Sequence, residues 1–170
     1  HYVDAETFRF FMINKKADTH FDLDIESMKS CTKDNPIFYI QYAHARCCSV
    51  LRHAEEMFPH INFSALWKED LDLFSWNSVY QDGIKWVCDF PRLILHSART
   101  REPHLICAWL YKIAQIFHGV WQKGAHDAEL RFLQRKDQES SLAHIVWVQL
   151  VALALKQGLA ILGIRAKEEL

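Results

Sequence analysis

Only five glycines and four prolines punctuate 170 residues, and between them apolar side chains recur at steps of three and four. That spacing lines one face of an α-helix rather than one face of a strand. From Ile37 to Phe58 the stripe is Ile40, Ala43, Cys47, Val50, Leu51, Ala54 and Phe58. A second helical region spans about Asn77 to Arg99, and Pro91 is expected to kink or restart it at Phe90. A third follows Glu102-Pro103 and carries Leu105, Ile106, Trp109, Leu110, Ile113, Phe117 and Val120 to near Gly124. The last, about Ser141 to Leu162, is apolar almost all round and so belongs at the centre. Gly163 stands where a left-handed helix cap is wanted. Half the residues are hydrophobic and 13% are aromatic, enough for a sizeable core. The reading is all-α, a bundle of four long helices.

The stretches between these helices are polar. Asp4 can cap a short helix through Asn14 bearing Phe8, Phe11 and Met12. Residues 15–35 alternate over short range, which predicts an extended connector. Asn35-Pro36 is a break, with Pro36 suited to the first turn of the next helix. Ser64 can cap a short helix carrying Leu66 and Trp67, and residues 125–140 form a charged connector. The expected organisation is a connector over residues 1–35, following another domain, and a helical domain over 36–170. His1-Tyr2-Val3-Asp4 reads as a boundary inside a longer protein, because a helix opens at once.

The formal charge is -1 and the pI about 6.9, far from the basic balance expected of a general nucleic-acid binder, and the charge alone is neutral on the point. An RNA partner would need local, shaped contacts. Cys31, Cys47, Cys48, Cys88 and Cys107 are odd in number and form no C-x-x-C pair, so neither disulfides nor zinc are expected. A reducing cytosol fits. Leu142 to Leu155 is strongly apolar, but His144 and Gln149 interrupt it, and a buried core helix is expected rather than a membrane span. There is no glycine-rich phosphate loop, no G-x-S-x-G and no H-E-x-x-H, so no catalytic residue is expected in this chain. Asp18 to Asp24 lacks the glycine and final glutamate of a calcium loop and reads as a polar face, not a metal site.

Two polar-aromatic stripes carry the functional question. Tyr39, Tyr42 and Arg46, continued by Ser49 and His53, lie a quarter to a third of a turn from the core stripe of their helix. Two rings and a guanidinium at that spacing make a platform for unpaired bases. The competing reading puts the tyrosines at the core's edge and Arg46 in solvent. His104, Cys107, Tyr111, Gln115, His118 and Gln122 form the second stripe, either further contacts to the same ligand or the less buried edge of an amphipathic helix.

The run Asn35-Pro36-Ile37-Phe38-Tyr39-Ile40-Gln41-Tyr42-Ala43-His44-Ala45-Arg46 resembles the hallmark opening of the anticodon-binding domain of arginyl-tRNA synthetases. Asp4 to Phe11, Lys15 to Asp24, Glu102-Pro103-His104, Phe117-His118, Arg131-Phe132-Leu133 and Gly158 to Ile164 continue the match in the same order over nearly the whole chain. Ser27-Met28-Lys29-Ser30 looks like the lysine loop of class I synthetases but occupies the wrong place. The resemblance implies the C-terminal part of a class I arginine–tRNA ligase that joins arginine to its tRNA, cytoplasmic and monomeric, with tRNA as partner and no DNA or membrane. ATP would be used upstream, with no cofactor in this piece. It also implies that Tyr39, Tyr42 and Arg46 lie against the anticodon loop, joined by Trp109, Tyr111 and Leu170. Trp109 stands where tyrosine is frequent and Leu170 where methionine is usual. A different synthetase with a related helical domain, such as the cysteinyl enzyme, fits the length and the run at Tyr39 to Arg46 less well. A helical protein-interaction module without RNA is the alternative from another class.

Overall fold

A computed structural model describes residues 3–20, 22–32, 34–69, 71 and 78–170. Its α-helices are α1 (Ala5–Ile13), α2 (Ile25–Lys29), α3 (Pro36–Met57), α4 (Ser78–Cys88), α5 (Phe90–Thr100), α6 (His104–His126) and α7 (Gln138–Ile161), and no strand occurs among the described residues. The all-α expectation holds. Three helices are long; the fourth is broken at Asp89, as Pro91 at its first turn requires. The expected start of that region at Asn77 lies outside the described residues.

α7 is the hub. It packs against α3, α4 and α6, and Trp147, Ile145, Leu155 and Leu159 are fully buried along it. It is long and apolar enough to cross a membrane by composition alone, and most of it is covered by its neighbours here. Trp147 Nε1 donates to the Tyr80 carbonyl at 3.0 Å, and its ring meets Phe117, Phe132 and Tyr80. Such rings bury the most apolar surface per residue and fix the relative rotation of the helices. α7 begins at Gln138, ahead of the expected Ser141. Asp137 is the cap, accepting from Ser140 N at 3.0 Å, while Ser141 is buried and ties back to Gln134.

Three other boundaries differ from expectation for local reasons. Within residues 15–35 the alternation is broken by α2, because Asp24 accepts from the Glu26 and Ser27 amides at 3.0 and 3.1 Å and caps a helical turn. Ser64 caps nothing. It donates to Asn62, and a short 3-10 turn, Leu66–Lys68, follows. α6 continues past Gly124 to His126, and that glycine serves a crossing instead: a Cβ there would lie 2.9 Å from the Leu130 carbonyl oxygen.

Asn35 joins the leading segment to the bundle. Its side-chain oxygen caps α3 at Phe38 N, and its amide donates to the Met28 and Ser30 carbonyls. Phe10 of α1 is fully buried in the same core as α3, α6 and α7. Gly163, with φ of 69°, closes α7 in the left-handed conformation and sends the chain back over α3.

Candidate nucleic-acid interface

α3 and α6 lie side by side, and between them runs a row of rings. Tyr39 meets Tyr111 with centroids 5.3 Å apart and His118 at 4.4 Å; Tyr42 meets His118 at 5.6 Å and stacks on Phe38 at 6.0 Å. The next residue along the α3 stripe is Arg46. Its guanidinium carbon lies 4.2 Å from the centroid of Tyr42 and 4.5 Å from that of Trp121, and it also donates to the Tyr42 hydroxyl. Two rings thus hold one cation in place, a geometry favoured by the negative faces of aromatic rings. Tyr39, Tyr42, Arg46, Tyr111 and Trp121 are all half-buried, so each rests on the core and keeps an edge in solvent.

His118 is the support beneath this row. It is 5% exposed, and its Nε2 donates to the Tyr39 carbonyl at 3.2 Å. Burial, opposed by the hydrogen bond to the Tyr39 carbonyl and helped by the adjacent Arg46 charge, holds its pKa below the ordinary value, so it is neutral at neutral pH. Burial, with Tyr111 adding to it, raises the Tyr39 phenol above its usual range. Both rings therefore act as uncharged surfaces.

The segment after Gly163 completes the site. Gln41 Nε2 donates to the Arg165 carbonyl and Gln41 Oε1 accepts from Lys167 N, both at 2.8 Å. His44 Nδ1 donates to the Lys167 carbonyl at 2.8 Å. Two buried side chains thus treat the tail backbone as a neighbouring strand would. The result brings Leu170, 55% exposed, into one open cleft of about 470 Å³ with Tyr42, Arg46 and Trp121.

The structure therefore gathers Tyr42, Arg46 and Leu170 in one cleft and sets Tyr39 with Tyr111 beside it. It does not bring Trp109 there, and the stacking expected of that residue is corrected. Trp109 is 2% exposed, its Nε1 donates to the Trp86 carbonyl at 3.0 Å, and its ring stacks on Phe90 at 4.3 Å. Helical geometry gives the reason: at about 100° per residue, two positions apart are nearly opposite, so Trp109 and Tyr111 cannot share a face. Trp121, Phe38, Gln41 and His44 are part of the site and were not singled out from sequence. Trp121 had a signal, lying three residues beyond His118 on the same helix. The others become visible only when the tail returns. Cys47 and Cys107 are buried, which pushes the Cys107 thiol up to about 12. Among the described residues no three His, Cys, Asp or Glu side chains converge as a metal site would.

Residues 40–170 match the DALR anticodon binding domain. The chain belongs to this family. The DALR match runs from the second turn of α3 through the tail and takes in Tyr42, Arg46, Trp121 and Leu170 of the cleft. Relatives agree with it. An arginine–tRNA ligase of Rhodospirillum rubrum is 39% identical over 99% of this chain and 29% of its own length, and one of Rhizobium etli is 41% identical over the same shares. The resemblance to arginyl-tRNA synthetases is thereby borne out, and the chain spans under a third of these relatives' length. A Campylobacter jejuni crystal structure described as a candidate arginyl-tRNA synthetase superposes with a TM-score of 0.82 at 24% identity, covering 99% of this chain and 34% of that one. At that identity it speaks for the fold of the DALR domain alone.

Proposed function

We propose that this DALR domain holds the anticodon loop of an arginine tRNA for an arginine–tRNA ligase, with residues 36–170 as the RNA-binding unit and residues 1–35 joining it to the rest of that enzyme. The carrying observation is Arg46 held between Tyr42 and Trp121 in an open cleft that Leu170 helps to line. Loop bases are unpaired and can be splayed, so flat half-exposed rings offer them a stacking surface. A guanidinium already pinned by two rings needs little further ordering before its free N–H groups meet a phosphate or a base edge. Tyr39 and Tyr111 extend the surface along the α3–α6 seam, and the near-neutral total charge leaves recognition to shape and stacking. The whole ligase would use ATP to charge the tRNA in the cytoplasm, as a monomer, without DNA or membrane. This domain's part in that reaction is to position the RNA.

The test is binding of the anticodon stem–loop of an arginine tRNA, against a non-cognate stem–loop, to the wild type and to Tyr42→Ala. Base–aromatic stacking contributes about 1–3 kcal/mol, so Tyr42→Ala should weaken cognate binding roughly tenfold or more while the melting temperature stays nearly constant. Equal affinity for the two stem–loops, or affinity indifferent to Tyr42, returns the chain to the reading of a helical protein-interaction module.

A further inference from the structure

The tail does more than deliver Leu170, because it also sets acidic groups at the mouth of the cleft. Glu168 and Glu169 line the cleft together with Arg46 and Arg52. Glu169 Oε1 lies 3.6 Å from Arg52 Nη2, with the Glu169 side chain largely in solvent and that of Arg52 about half exposed. Two carboxylates at the rim of an RNA site run against the usual logic, in which phosphates gather Lys and Arg. They are also not loose. The three hydrogen bonds from buried Gln41 and His44 to Arg165 and Lys167 fix the backbone immediately before them.

Arg52 lies six residues beyond Arg46 on α3. Left unpaired, it would be a sequence-independent anchor for any phosphodiester near the cleft. Glu169 occupies that anchor, and both rim carboxylates repel a backbone passing over it.

Resting on the reading of the cleft as an anticodon-loop site, we propose that Glu168 and Glu169 form a selectivity lip: they deny the cleft mouth to a sugar–phosphate backbone, so that a base is admitted with its phosphates turned away. Affinity is sacrificed for discrimination, in the manner of interfaces that place repulsion against the wrong partner. The cognate loop, whose splayed bases enter between the rings, loses little. An unstructured RNA that could only lay its backbone along the groove loses most of its grip.

The experiment compares the wild type, Glu169→Gln, Arg52→Ala and the double variant for binding to an arginine tRNA stem–loop and to an oligouridylate of equal length, over a range of salt. The side chains are exposed and the Gln exchange is isosteric, so folding is unaffected, and thermal melts confirm it. Glu169→Gln should raise oligouridylate affinity about threefold, the scale of an exposed ion pair, with a smaller change for the stem–loop. Its salt dependence should steepen by up to about 0.7 in log–log slope, one added single-strand phosphate contact. Arg52→Ala should remove the added slope in the double variant and leave only the smaller affinity gain from relieved repulsion. An unchanged ratio of the two affinities with an unchanged slope overturns the lip, and so does an added slope that persists without Arg52. Tyr42→Ala run alongside separates the cases: if it too leaves the stem–loop bound, the RNA reading itself has failed, whereas if it weakens binding only the lip has.

Discussion

Trp109 and Tyr111 stand two residues apart on α6 and face opposite surroundings. Trp109 fills the space against Phe90 and ties to the Trp86 carbonyl, so Trp109→Ala should lower the unfolding free energy by about 3–5 kcal/mol. Urea unfolding measures this, and the protein that remains folded should bind the stem–loop as before. Three other buried side chains make stability depend on pH. His44, His118 and His144 are each held below the ordinary histidine value, first by burial. The unfolded chain takes up protons near about pH 6.5, where the folded chain resists them. The stabilisation is therefore full above that value and lost as pH falls below it. The melting temperature should be highest above about pH 7 and decline towards about pH 5; a flat profile would show that these rings are not held neutral by the fold. At this scale the sequence disclosed Tyr39, Tyr42 and Arg46, because one helix and its period suffice to place them. It did not disclose Gln41 and His44, whose partners lie more than 120 residues away.

Among the elements, α4 and α7 approach closely at Gly83. A Cβ on Gly83 would lie 2.7 Å from Cζ2 of Trp147 and 2.8 Å from its Nε1. That ring is anchored by its bond to the Tyr80 carbonyl and walled by Phe117 and Phe132, so it has nowhere to shift. Gly83→Ala gains about 1 kcal/mol of helix propensity and loses about 1–3 to overpacking. The net result should be a loss of up to about 2 kcal/mol, visible as a lower urea midpoint at unchanged slope. Helix existence was legible because apolar periodicity is a property of one segment. Helix ends were less so, since Asp137 and Asp24 cap turns that periodicity alone starts elsewhere or misses. The break at Asp89 was readable because proline acts locally, while the use of Gly124 as a crossing point needed its partner at Leu130.

For the whole molecule the returning tail is the decisive contact. Gln41→Leu keeps the side chain's bulk and removes both hydrogen bonds to it, each worth about 0.5–1.5 kcal/mol. Trypsin should then cut sooner after Arg165 and Lys167, and stem–loop affinity should fall severalfold as Leu170 leaves the cleft. Unchanged proteolysis would mean that the contacts other than those of Gln41 suffice to secure the segment. No pattern within one stretch of sequence announces this closure, because the tail has no periodic signal and is held through its own backbone atoms.

The same tail is fastened on its other side to α1: Glu6 accepts from Arg165 N at 3.0 Å, and Arg9 donates to the Gly163 carbonyl. A single extended strip is thus bolted at one edge to the first helix and at the other to the helix that carries Tyr42 and Arg46. Rotating α1 either tears those bolts or drags Leu170 across the cleft. Occupancy of the cleft and the setting of α1 become one mechanical variable, as in a rod linking two cranks.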